Sequence, residues 1–182
     1  MARDTISRSM HDLGLAAWFG GTLANAVALN PAAAEAGSST AVGAVANVGW
    51  NRWTPVNTAA IGAHLVGSVG QIMGNRGRIA GQEGVASMAV AKTALTAAAL
   101  GVTAYSRMLG KTVASETEMP AKSGTEAESG TPPQVAAAQR KLAALQWVIP
   151  AMTGALVVMS SFAGEQERAI EQHKGVLDRL MP

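Results

Sequence analysis

Residues 142–164 read LAALQWVIPAMTGALVVMSSFAG. They carry no charge and match the ~20 residues a helix needs to cross a hydrocarbon core. The run GALVVM at 154–159 is its most apolar part. Pro150 is predicted to kink this helix, because its ring displaces the carbonyl of Gln146 from the ladder. Working outward, three further segments have comparable length: 11–30, 55–74 and 85–109. The first and third are rich in Ala and Gly, and the third is interrupted by Lys92. None of the four alternates with period two or is enriched in β-branched residues, so strands are not expected. The pattern predicts an all-α fold, an integral membrane four-helix bundle formed by a single domain over 1–182.

Composition agrees with that reading. Of 182 residues, 48% are hydrophobic and 14% charged, against roughly 25% charged in ordinary soluble proteins. Aromatics make up 4%, so the apolar content is mostly Ala, Val, Leu and Gly. Small residues of this kind suit helices that approach closely in lipid. The chain has no cysteine, which excludes disulfides, thiolate zinc sites and a cysteine nucleophile. Net charge is +2 and the pI about 9.3. The basic residues stand singly between apolar segments, marking topology rather than a nucleic-acid patch.

The connections differ in character. Residues 31–54 read as a linker followed by an interfacial segment, with Trp50 and Trp53 flanking Arg52 as an aromatic anchor at headgroup level. Residues 75–84 form a short basic turn. Residues 110–139 contain SETEMPAKSGTEAESGTPPQ and predict a flexible loop. Over 165–181, Ile170, Leu177 and Leu180 share one side of a short amphipathic surface helix, while Glu165, Glu167 and Glu171 alternate with bases on a solvated face. Positive charges divide seven against six between the two sides. Discounting the long loop favours a plasma-membrane protein with both termini in the cytoplasm. Arg3 and Arg8 before an apolar run and NPAAAEA also fit a cleavable signal peptide. Gly20, Gly21 and Asn25 interrupt that run and Asp12 sits in its approach, so a retained span is the preferred reading.

At 100° per residue, polar and small residues fall on one face of each segment. The faces are His11, Gly14, Trp18, Gly21 and Asn25; Asn57, His64, Gly67, Ser68 and Gln71; Lys92, Thr96, Ala99, Thr103 and Ser106; and Gln146, Thr153 and Ser160. These faces should turn inward, since polar groups in lipid are costly. Small residues four apart, at Ala59, Ala63 and Gly67 and at Ala89, Thr93, Ala97 and Gly101, allow close helix approach. Lys92 is the one base well inside a segment and Asp12 the one acid near a segment. An intramembrane charge needs a partner or a water route, so Lys92 is expected to reach Asp12 or to snorkel outward.

The stretch HDLGLAAWFGG at 11–21 has the form H-x6-W-x-G-G, carried by His11, Trp18, Gly20 and Gly21. It resembles the opening helix of small polytopic bacterial membrane families, including copper-resistance D-type proteins and related uncharacterised families. The Ala/Gly-rich, Arg-over-Lys composition looks actinobacterial. In the copper-related families, histidine and methionine on the spans imply metal or haem handling, which would assign His11 and His64 as candidate cofactor ligands for haem b or copper. Helix rise counts against one shared haem: with the first span starting at His11, His64 lies ~15 Å deeper, level with Gly21 and Thr22. Core packing is the plainer role for both.

Enzymatic motifs are missing. No G-x-S-x-G elbow occurs, and GNRGRIAG at 74–81 lacks the P-loop Lys-Ser/Thr. The sequence therefore leads to a non-enzymatic accessory or scaffold protein without a resident cofactor. Its partners would be the lipid bilayer and either a second copy or another membrane protein, with no nucleic acid. The alternative is a haem- or copper-binding redox or transport protein using His11 and His64.

Overall fold

The computed structural model of the protein describes residues 4–115 and 120–166. Helix α1 (Thr5–Ala24) continues through a wide π turn (Asn25–Leu29) into α2 (Asn30–Ala34). The π turn has a local cause. Pro31 cannot donate a backbone N–H, and the ladder is loosened just ahead of it, where Asn30 N–H reaches back to Asn25 O. After a short turn, α3 (Ser39–Gly74) runs for 36 residues. Ser38 starts it in extended geometry, and its hydroxyl accepts from Ala41 N–H at 3.3 Å. The short α4 (Arg76–Gly81) leads to α5 (Val85–Ala114). Gly84, at φ +76°, supplies the left-handed residue that this entry needs. A small antiparallel hairpin, β1 (Ala121–Ser123) and β2 (Glu126–Ala127), precedes α6 (Pro133–Glu165). Pro133 stands in the first turn of α6, where a missing N–H costs nothing.

Among the described residues the fold is all-helical apart from this hairpin. Two helices, α5 and α6, are long and apolar enough to cross a membrane. The helices pack in the order α3, α1, α6, α5, and α3 and α5 meet only sparingly at the open side. The central core joins Leu15 and Trp18 of α1, Ala99 of α5, and Ile149 and Leu156 of α6. A second cluster, Val113, Val135 and Ala138, closes the α5–α6 pair near the hairpin. The N-terminus of α1, α4 and Gln166 share one end: Arg78 Nη2 and Gln82 Nε2 donate to Gln166 O at 2.8 and 3.0 Å.

Several sequence expectations need correction. Residues 31–54 are not a linker: only 35–38 are non-helical, and α3 passes straight through Pro55. Weakly apolar Ala, Gly and Val concealed this helix, while Ser38 and Ser39 looked like loop residues. Trp50 and Trp53 turn into the bundle rather than outward. Trp50 Nε1 donates to Asn30 Oδ1 at 3.0 Å, and the Trp53 ring covers Gly21. The loop expected over 110–139 is shortened from both sides by α5 and α6, and its middle folds as the hairpin. The amphipathic helix expected over 165–181 falls beyond Gln166, outside the described residues.

Candidate functional site

The contact between α1 and α3 is built on a reciprocal pair of glycines. A Cβ on Gly14 would stand 2.5 Å from His64 N and press on Ala60 O. A Cβ on Gly67 would meet the backbones of His11 and Ser7. Each histidine thus lies against a glycine of the other helix. With both backbones close, the two imidazoles stack at 4.5 Å between centroids, tilted by 46°. The Trp18 indole meets His64 edge-on at 6.1 Å. All three side chains are almost completely buried.

This overturns the depth argument. Helix α1 begins at Thr5 rather than at His11, and Asp4 lies beside Gly74. The seven residues from Asp4 to His11 place that histidine about 10 Å into the bundle, level with His64. Gly21 faces Trp53 instead of His64, and Gly20 has open space around it. Of the four motif residues, the structure brings His11 and Trp18 to the site and leaves Gly20 and Gly21 elsewhere.

Hydrogen bonds set the tautomers. His11 Nδ1–H donates to Asp12 Oδ1 at 2.7 Å. His64 Nδ1–H donates to the carbonyl of His11 at 3.3 Å. In the neutral rings both Nε2 atoms are then bare lone pairs, and that of His64 is buried with no hydrogen-bond partner. Imidazoles oriented through Nδ1 by a carboxylate or carbonyl are the arrangement that presents Nε2 to a metal. The described residues offer no set of three His, Cys, Asp or Glu that could hold an ion. Haem between the rings does not fit. Metal–nitrogen bonds of ~2.0–2.1 Å would put imidazoles on opposite faces roughly 6 Å apart at their centroids, against the 4.5 Å found.

Asp12 and Lys92 line one small cavity of about 40 Å³ together with His11 and Arg8. Asp12 Oδ1 is engaged by His11 Nδ1 at 2.7 Å. Lys92 also borders a larger apolar cleft of about 480 Å³, which contains Ile72, Met88 and Gln166. Pro150 belongs to the core: it lies buried beside Thr153, whose hydroxyl donates to Ile149 O at 2.9 Å.

No protein family, curated protein or solved structure matches the chain. Its chemistry must be argued from its own residues.

Two features were not legible as sites in the sequence. The first is a satisfied polar knot at the hairpin end. Asn30 Nδ2 donates to Gln146 Oε1 at 2.8 Å, Trp50 Nε1 donates to Asn30 Oδ1, and Gln146 Nε2 reaches Thr125 Oγ1 at 3.4 Å. The second is a cavity between α3 and α5 bordered by Trp53, Asn57, Thr103 and Ser106. Helical spacing had put Asn57 on one inward face and Thr103 with Ser106 on another. Nothing in the sequence said that those faces met.

Proposed function

We propose that the protein is a small multi-span integral membrane protein with a non-enzymatic accessory or scaffold role, all four long helices crossing the bilayer and both termini cytoplasmic. One observation carries this: large apolar side chains face outward along the long helices while several polar side chains lie inside. The interior holds His11, Asn25, Asn30, His64, Gln139 and Thr153, whereas Leu13, Val69, Val90, Val158 and Phe162 are more than half exposed. In the apolar windows of α5 and α6, only 11% and 22% of residues are buried within the protein. Apolar surface turned outward over that length suits lipid contact, and polar side chains kept inside avoid the cost of facing lipid. On α5 the small residues Thr93, Ala97 and Gly101 also face outward, which suits a helix of a second copy or of another membrane protein.

The test uses the absence of cysteine. Single cysteines at Leu13, Val69, Val90 and Val158 should resist a water-soluble maleimide in intact membranes. A cysteine at Gly37 should react only when the outer face is reached. The protein should stay in the pellet after alkaline carbonate extraction. Release into the soluble fraction, or uniform labelling, would overturn the proposal.

The stacked histidines favour one second reading, a copper ion held from one side by Nε2 of His11 and His64. Imidazole suits copper, and both Nδ1 atoms are already engaged. Metal analysis of protein purified without chelator should then find about one copper per chain, lost in His64→Ala. A metal-free preparation that takes up no added Cu(I) retires it. Haem b is disfavoured by the ring spacing, and a Soret band lost on His64→Ala would reverse that judgement.

A further inference from the structure

The cavity between α3 and α5 has a volume of about 320 Å³, within the ~300–1,000 Å³ of small-molecule sites. Its lining is largely apolar, including Ile61, Leu100 and Ile149. Thr22, Trp50, Thr54, Thr58 and Gln146 in its lining have hydrogen-bond partners, but four other polar groups do not. Trp53 Nε1, Asn57 Oδ1, Thr103 Oγ1 and Ser106 Oγ are each buried with no hydrogen-bond partner among the described residues. Most hydroxyls in the bundle solve this problem locally. Thr22, Ser68, Thr153 and Ser160 each donate to the carbonyl four residues back, at 2.7 to 2.9 Å. Thr103 and Ser106, three residues apart on one face of α5, forgo that bond. Buried polar groups are normally satisfied, and a cluster of exceptions around one cavity calls for an explanation. A guest that supplies the missing partners is a sufficient one.

The lining also specifies the guest. An indole N–H and two hydroxyls offer donors, and Asn57 can present either amide atom by turning its side chain over. Arg107 carries the only formal charge among the described residues that border the cavity, and no carboxylate opposes it there. Its Nη2 donates to Asn51 Oδ1 at 3.2 Å, which uses one of five guanidinium donors. The matching ligand has an acceptor-rich, negatively charged head and an apolar body. We infer that the α3–α5 cavity binds the anionic head of an amphiphile, with Arg107, Thr103 and Ser106 on the head and Ile61 and Leu100 on the start of its tail. The chemistry is shared by a free long-chain carboxylate and by an anionic phospholipid. The inference rests on this cavity and not on the proposed membrane topology.

Trp50 and Trp53 border the cavity, so tryptophan fluorescence reports on it. The full-length protein is held in nanodiscs of zwitterionic lipid and titrated with dibrominated stearate, a quencher. Saturable quenching that unlabelled oleate reverses is expected. The methyl ester of the same probe should bind at least about tenfold more weakly, because a charge-assisted bond to Arg107 is lost. Arg107→Gln and Thr103→Val, checked for native helicity, should each weaken the acid by about tenfold and narrow the gap to the ester. In a second arm, nanodiscs containing dibrominated phosphatidylglycerol replace the fatty acid. Saturable quenching in that arm assigns the head to a phospholipid, and in the first arm alone to a free carboxylate. Equal binding of acid and ester by the unaltered chain, or quenching that rises linearly in both arms, overturns the inference.

Discussion

Gly14 and Gly67 show how much one hydrogen atom in place of a methyl can decide. Each stands where a Cβ would enter the backbone of the opposing helix, and backbone cannot step aside as a flexible side chain can. Gly14→Val and Gly67→Val should therefore cost at least the ~1–3 kcal/mol of ordinary overpacking. Gly20→Ala and Gly101→Ala should leave stability unchanged or slightly raised, since both sites are open and alanine is the better helix former. Thermal unfolding of the four variants in one detergent separates the cases, and equal losses at all four would contradict this packing. Trp18→Ala should cost about 3–5 kcal/mol and also loosen the stacked histidines. At this level the sequence was partly legible. Spacing at 100° brings His11, Gly14 and Trp18 to one face of α1, and all three are buried. The partner of each residue was not legible, because partner choice depends on where a helix starts. Alanine and glycine blur that point.

Helices here are fastened to one another by few bonds, so single polar residues hold whole elements. Asn30 ties α2 to α3 through Trp50 and to α6 through Gln146. Asn30→Leu would strand a buried indole N–H and an amide oxygen, for an expected loss of about 1–3 kcal/mol. Adding Gln146→Leu should cost less than the sum of the two single changes, since part of the penalty of the first is an unpaired Gln146. A fully additive double-mutant cycle would count against the knot. Nothing in the sequence announces it: Asn30 reads as the end of a span and Trp50 as an interfacial anchor. The π turn before Pro31 brings Asn30 inward, and a local widening of that kind leaves no periodic trace. Helices α5 and α6 were better anticipated. The start of α5 at Val85 and the end of α6 at Glu165 lie within a residue of the sequence reading, because charge and glycine mark those ends sharply.

The whole molecule depends on α1, which packs against both α3 and α6 and donates Leu15 and Trp18 to the core. A chain cleaved near Ala36 as a secretory precursor would expose His64, Gly67 and Trp53 and lose that core. Intact mass measurement should accordingly find the first thirty-odd residues present in folded protein. A stable, folded product lacking them would contradict the architecture. The all-helical class was within reach of the sequence, since its long apolar segments lack period-two alternation and β-branched enrichment. The order of packing and the open side between α3 and α5 were not, because apolar helices of similar composition give no reason to prefer one neighbour over another. That open side has a consequence for biogenesis. Contacts between α1 and α3, and between α5 and α6, each join neighbours along the chain, and α1 against α6, with β1 against α3 and α2, is what binds the two halves. The protein is in effect a pair of preassembled halves meeting along one seam, where Gly154 accepts the ring of Phe19 at 3.1 Å from a would-be Cβ. Fragments 1–82 and 83–182, coexpressed as separate polypeptides, should find each other and reconstitute the complete fold.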